Sequence, residues 1–212
     1  MSGEEKKRIP KTTVYRLSVY YRALSNLEEE GVDSISSADL SEIAGFSAAQ
    51  IRKDLTYYGQ FGRPGRGYVV SHLKSQLRTI LGIDRDWSVA LVGVGRLGRA
   101  LLAYKGFRKQ NFIIEAAFDN DPEKVGKEFS GVRVYHQDEM DKVIRSKKIE
   151  MGIVTVPEEV AEIIVAKLID AGIKAILSFA HLPSIFSNGI KVNQVDLSIE
   201  MEGLSYYLTH SK

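Results

Sequence analysis

The apolar run Ser88–Val92 passes directly into Gly93-Val94-Gly95-Arg96-Leu97-Gly98. Few folds accommodate a strand ending in glycines at this spacing, because each glycine answers a separate backbone demand. The first permits a tight turn, and the second lets the main chain approach a diphosphate. The third lets the next helix, expected at Leu97–Tyr104, lie close on the sheet. Free N–H groups at the start of that helix then receive the phosphates. The glycine pattern alone recurs by chance, so its context matters. Here the next apolar strand, Phe112–Phe118, delivers Asp119, 21 residues beyond Gly98. A carboxylate at that place accepts hydrogen bonds from an adenosine ribose and repels a 2′-phosphate. Strand, glycines, helix and acid together predict a bound dinucleotide, NAD(H) rather than NADP(H).

The grammar of the remaining C-terminal half agrees with that start. Short apolar strands at Val132–Tyr135, Met151–Thr155 and Ala175–Ser178 alternate with helices near Asp138–Arg145 and Pro157–Ala171. This predicts an α/β fold with a Rossmann-like, doubly wound parallel sheet. Ligands of such sheets lie at the C-terminal ends of the strands. That places Asn120 beside Asp119, together with Thr155, Val156, Pro157 and Phe179, in the cofactor site. An apolar wall containing Phe179 favours the uncharged ring of NADH over the cationic ring of NAD⁺ by desolvation. A last helix, about Ser198–Leu208, carries Ile199, Leu204, Tyr207 and Leu208 and has no later element to pack on. On sequence alone it reads as a lid on its own sheet, with a dimer arm as the alternative.

Before Gly82–Trp87 the chain is short-helical. Beyond Pro10, Val14, Leu17, Tyr21, Leu24 and Leu27 recur at helical spacing until Gly31. A second helix, Ala38–Ala44, takes Ser37 as its cap and turns Leu40 and Ile43 inward; Gly45 ends it. Ser47 opens a third helix, with Gln50 three residues later as a capping box requires. Ile51, Leu55 and Tyr58 share its inner face, whereas Ala49, Arg52, Lys53 and Thr56 point outward. Two helices joined through a glycine turn predict a helix-turn-helix whose second helix enters the major groove. Its candidate DNA contacts are Ser47, Ala49, Gln50, Arg52, Lys53, Thr56 and Tyr57. The glycine-rich stretch Gly59–Tyr68, with a Pro64-Gly65 turn before Tyr68-Val-Val70, reads as a wing. Arg63 and Arg66 sit at its tip, where they suit phosphates or a narrow minor groove. A fourth helix with Leu73, Leu77 and Ile80 closes this winged helix-turn-helix domain. Charge supports a polyanionic partner at this place: residues 51–80 hold six Lys and Arg against the single acid Asp54, while residues 87–212 hold 16 of each sign. A protein-docking role for the same helices is the rival. The expected divisions are 1–82 for the DNA-binding domain, 83–195 for the dinucleotide domain and 196–212 for the C-terminal helix.

Several chemistries find no support. The chain has no Cys, which excludes disulfides, thiolate metal sites and thiol redox chemistry. H-E-x-x-H and P-loop lysine motifs are missing, so neither a metal site nor triphosphate hydrolysis is expected. Hydride transfer needs an acid–base group beside a carbonyl. No Tyr-x-x-x-Lys pair occurs, and His72, His136, His181 and His210 show no partnering by spacing. Catalysis is therefore not expected; the alternative is a dehydrogenase with an appended nucleic-acid domain. The apolar runs fall short of the roughly 20 residues of a membrane span, and the charged N-terminus shows no signal peptide. The chain reads as cytoplasmic.

Taken together, Ile9-Pro-Lys-Thr-Thr-Val-Tyr-Arg-Leu17, Gln50-Ile-Arg-Lys-Asp-Leu-Thr-Tyr-Tyr-Gly59, Phe61-Gly with Gly65-Arg-Gly-Tyr68, Val92-Gly-Val-Gly-Arg-Leu-Gly98 and Phe118-Asp-Asn-Asp-Pro-Glu-Lys-Val-Gly126 resemble the Rex family of redox-sensing transcriptional repressors. The Ile-Arg-Lys-Asp-Leu helix is the most specific of these pieces. The resemblance implies a homodimer that holds an inverted-repeat operator in double-stranded DNA when NAD⁺ is abundant and releases it when NADH rises. It implies a C-terminal helix exchanged between subunits. It also implies a switch in which Arg22 changes partners between Asp196 and Tyr104, the latter near the nicotinamide. One departure is Ser178-Phe-Ala-His181, where the family usually has Asn-Phe-Ala-Pro or Asn-Phe-Thr-Pro.

Overall fold

The computed structural model describes residues 9–62, 67–182 and 189–210. Two units follow one another along the chain, Met1–Arg85 and Asp86–Lys212.

In the first unit, α1 (Lys11–Glu29) begins directly after Pro10, whose φ of −61° already suits a helix. Its inner stripe is Thr13, Leu17, Tyr20, Ala23, Leu24 and Leu27. The expected stripe through Val14 and Tyr21 is thus off by one residue at two places: Val14 is 43% exposed, whereas Thr13 is buried. Apolar periodicity passes over a threonine that is inside because its hydroxyl has a partner there. β1 (Ser34–Ile35), which is too short to announce itself, pairs antiparallel with β2 (Tyr68–Val69). Val70 belongs not to that strand but to α4 (Val70–Ile80), where it is buried with Leu73 and Leu77.

The second and third helices are α2 (Ser37–Ala44) and α3 (Ala48–Thr56). The cap of α2 is Ser36, whose Oγ accepts from the Asp39 N–H at 3.1 Å. Ser37 instead accepts from Arg52 Nη1 at 2.7 Å. Leu40 and Ala44 face inward, one helical turn apart, and Ile43 lies off that line at 53% exposure. Ser47 does cap α3, accepting from the Gln50 N–H at 3.2 Å. The box is not closed, because the Gln50 side chain runs forward to Asp54.

The second unit is built on a seven-stranded sheet. Its strands are β3 (Trp87–Val92), β4 (Phe112–Asp119), β5 (Glu128–Phe129), β6 (Val132–His136), β7 (Met151–Val154), β8 (Ala175–Ser178) and β9 (Lys191–Gln194). They lie in the order β5-β6-β4-β3-β7-β8-β9, all parallel except β5 against β6. β5 and β9 escaped the sequence reading: one is two residues long, and the other is a polar, mostly exposed edge. Alternation along β3 sends Ala90 and Val92 to one core and Val89 and Leu91 to the other. Helices cover both faces. Leu102 of α5 (Arg96–Ala103) packs on the second core, beside the short α6 (Lys105–Lys109). α7 (Met140–Lys147), entered through a 3₁₀ turn at Gln137–Glu139, and α8 (Glu158–Asp170) pack on the first.

α9 (Leu197–His210) follows the sheet, and every one of its residues is exposed. Leu204 and Leu208 are 58% and 85% accessible. The lid reading is therefore overturned, because a lid would bury one stripe of the helix.

Candidate nucleotide and nucleic-acid sites

The strand order reverses at β3, between β4 and β7, so the loops after β3 and β7 diverge and leave a crevice. Gly93 turns the chain at a φ of +97°. A Cβ on Gly98 would lie 2.0 Å from the Gly93 carbonyl oxygen, so α5 approaches the loop as closely as backbone allows. Thr155 at the end of β7 locks the crossing by donating from Oγ1 to the Gly93 carbonyl at 2.7 Å. Gly95 caps α5 with no side-chain hydrogen bond, leaving the first-turn N–H groups for an anion.

Asp119 closes the other side. Its Oδ2 accepts from the Val94 N–H at 2.7 Å, and its Oδ1 accepts from the Asp121 N–H at 2.9 Å. Lys124 Nζ stands 3.2 Å from both the Asp119 and Asp121 carboxylates. Partial burial works against the Lys124 charge, but the two carboxylates outweigh it and hold the ammonium above its ordinary range. Lys124 was not foreseen; the Asp119, Asp121 and Lys124 spacing is the signal that could have shown it.

A cleft of about 570 Å³ unites Gly93, Gly95, Asp119, Asn120, Thr155, Val156 and Pro157, with Val160 and Ile163 of α8 as an apolar wall. Leu97, Phe179 and Asp196 line a second hollow of about 370 Å³ together with His181 and Gln194. The cradle suits a dinucleotide: space where a Cβ would clash, open amides, a carboxylate for a ribose and an apolar slot for a base. Arg96 is exposed at the start of α5, while Val94 is buried and contributes its amide to Asp119. Tyr104 lines neither hollow; it is 56% exposed and stands edge-on to Phe107 with ring centroids 5.2 Å apart. The buried Ser178 satisfies itself, donating to the Ala180 carbonyl at 2.9 Å and accepting that residue's N–H. Asp196 accepts from the Ser198 hydroxyl and N–H, and these bonds hold its carboxyl below the usual range. Arg22 is an exposed residue of α1.

On the first unit, Ala49, Arg52, Lys53 and Thr56 are exposed on α3, as is Tyr57 just beyond its end. Arg52 reaches the start of α2 through Ser37, and Thr56 Oγ1 donates back to the Lys53 carbonyl at 2.7 Å. Arg63 and Arg66 lie outside the described residues.

Beneath this face sits a group that the sequence reading counted only as a lone acid. Asp54 is fully buried and accepts five hydrogen bonds. Arg16 grips it bidentately, Nε to Oδ2 at 2.6 Å and Nη2 to Oδ1 at 2.7 Å. Tyr20 donates to Oδ2 at 2.9 Å, and Gln50 and Thr13 donate to Oδ1 at 2.9 and 3.3 Å. Burial alone would raise the Asp54 carboxyl, but the bonds from Arg16, Tyr20 and Gln50 more than offset it and the net shift is downward. Arg16 and Tyr20 stand one helical turn apart on α1, so the signal was there: two polar groups on the face that turns inward.

A helix-turn-helix unit joined in one chain to a dinucleotide-binding sheet defines a nucleotide-responsive DNA-binding regulator. Residues 8–56 match the family described as "Putative DNA-binding protein N-terminus", and residues 84–182 match the CoA binding domain family. A redox-sensing transcriptional repressor Rex from Desulfitobacterium hafniense is 45% identical, over 94% of this chain and 95% of that protein. RSP, solved with β-NAD⁺ and operator DNA, is 34% identical with a TM-score of 0.90, over 97% of this chain and 94% of RSP. RSP with β-NADH gives 32% and 0.87, over 96% and 95%. The chain belongs to the Rex family of redox-sensing transcriptional repressors. Its relatives are named repressors rather than enzymes, and the dehydrogenase alternative falls with that.

Two outcomes follow from this geometry. In Gly98→Ala the added methyl meets backbone, so NADH affinity should drop at least tenfold in a fluorescence titration while the far-UV spectrum is kept. The second concerns acid. The folded Asp54 value lies below the unfolded one of about 3.9, so its stabilisation is complete above that pH and is lost as pH falls through the folded value. The thermal midpoint of the wild-type protein should therefore decline more steeply below about pH 4 than that of Asp54→Asn.

Proposed function

We propose that two copies of this chain hold an inverted-repeat operator in the cytoplasm and release it when NADH rises relative to NAD⁺. The observation that carries the reading is the pairing, within one chain, of an exposed Arg52–Lys53 recognition face with a glycine cradle closed by Asp119. The recognition face supplies cations and a helix sized for the major groove. The cradle supplies amides for the diphosphate and a carboxylate for the ribose. Bound there, the dinucleotide acts as a ligand and undergoes no chemistry.

NADH must favour the form that cannot hold DNA, since equal affinity for both forms shifts nothing. A hundredfold loss of operator affinity needs about 2.7 kcal/mol of differential binding. Within the second hollow, Leu97 and Phe179 supply an apolar patch that suits the neutral reduced ring by desolvation. The exposed Leu197, Ile199, Leu204 and Leu208 of α9 supply a surface for a second subunit, the helix being exchanged between copies. Arg22 pairs with Asp196 in one state only, with Tyr104 as its other partner, and such a charge-assisted pair biases a two-state hinge. RSP, crystallised with NAD⁺ and operator DNA and separately with NADH, supports the reading.

The deciding experiment titrates NADH, then NAD⁺, into a complex of the protein with a selected inverted-repeat duplex at fixed salt. Release by NADH with little effect of NAD⁺ is the expected result; indifference to both would sink the proposal. In Asp196→Ala, the NADH-induced loss of DNA affinity should shrink several-fold while the Kd for NADH stays within about twofold of wild type. Equal losses of the two would argue against the switch.

A further inference from the structure

We infer that Gln50 reads an adenine in the major groove and that Asp54 holds its amide in the reading orientation. The inference rests on the operator-binding reading above and deepens it from a binding face to a particular base.

A buried carboxylate can only accept, so the part of the Gln50 amide facing Asp54 is its NH₂ group, with Nε2 2.9 Å from Oδ1. The Oε1 atom must then lie on the opposite side. No buried polar side-chain atom among the described residues lacks a partner, and Oε1 accepts no hydrogen bond from them. Nothing among the described residues caps Oε1, and Gln50 itself is only half-buried. One N–H is committed to Asp54, which leaves the outer edge of the amide with one donor and one acceptor in a plane.

That edge complements adenine, whose N7 accepts and whose N6 amino group donates. Guanine presents two acceptors, O6 and N7, and would set oxygen against Oε1. Cytosine offers only a donor, and thymine an acceptor beside a methyl group. Gln50 is also in the right place, in the first turn of α3 after the Ser47 cap, where recognition helices meet base edges. Its outward neighbours Arg52 and Lys53 are donors only and cannot supply this pattern.

A free glutamine could flip its amide and present the reverse order. Here a flip would put Oε1 against a carboxylate that Arg16 and Tyr20 already fix. Asp54 is thus a positioning residue: it spends no contact on DNA and removes the alternative orientation before binding, as preorganisation requires.

The test uses the full-length protein and an inverted-repeat duplex obtained by selection. Each adenine of a half-site is replaced in turn by 7-deazaadenine, which lacks the N7 acceptor, and by purine, which lacks the N6 amino group. At one adenine per half-site both analogues should weaken wild-type binding by about tenfold, and at that position neither should matter to Gln50→Ala. No adenine sensitive to both analogues, or sensitivity that persists in Gln50→Ala, would overturn the assignment. In Asp54→Asn the penalty from both analogues at that adenine should shrink at least threefold relative to the penalty of substitutions at the other bases of the half-site. A uniform loss on all DNA would instead make Asp54 merely structural. Should that variant not fold, as circular dichroism will show, the Gln50→Ala comparison still decides the assignment of the reading residue. Failure of the wild-type protein to select any duplex would overturn the operator reading itself, and this assignment with it.

Discussion

The second unit depends on how closely two backbones can pass at the end of β3. Between the Gly93 carbonyl and residue 98 there is no room for a side chain, and the Thr155 hydroxyl ties the same carbonyl to the end of β7. α5 therefore starts directly over the point where the strand order reverses. Its free amides, the carboxylate of Asp119 and the apolar wall of α8 converge on one crevice. Asp119 adds the last constraint by accepting the Val94 amide, which fastens the loop after β3 to the end of β4. The polar groups of the cradle thus stand at sheet termini, with α8 as its apolar wall.

The first unit solves a different problem. It is small, and its recognition helix must present cations outward while still being anchored. Apolar contacts from Ile51 and Leu55 hold the helix on the core, and the buried Asp54 ties the same face to α1 through four hydrogen bonds from Thr13, Arg16 and Tyr20. A buried ion pair of this kind adds little net stability over a well-packed apolar substitute, while losing one partner is costly. Its value here is geometric.

This contrast explains what the sequence made legible. Glycines leave a plain trace, since Gly93 and Gly98 stand where backbone geometry admits nothing else, and strands β3, β4, β6, β7 and β8 were readable from apolar runs. The acid at Asp119 was found through its distance from the loop. Edge elements were not: β1, β5 and β9 are short or polar and carry no apolar period. Val14 reads as inward because periodicity counts hydrophobicity and is blind to a threonine or tyrosine turned inward by a hidden carboxylate, and Ile43 does so because the smaller Ala44 takes the inner place on α2. Asp54 itself looked like a stray acid in a basic stretch. Only the fold brings Arg16 and Tyr20, 38 and 34 residues earlier, around it. Lys124 was missed likewise, because its role is to stand beside Asp119 rather than to complete a motif.

α9 carries a thermodynamic consequence. It has 14 residues and buries none of them against its own chain. A helix of that length is marginal in water on its own, so its order must come from whatever it lies against, and that order is subject to mass action. In the dimer proposed above, dilution then loosens the C-terminal arm before the sheet, whose two cores lie within one chain. On that proposal the number of copies in the cell becomes a variable of the folded state itself.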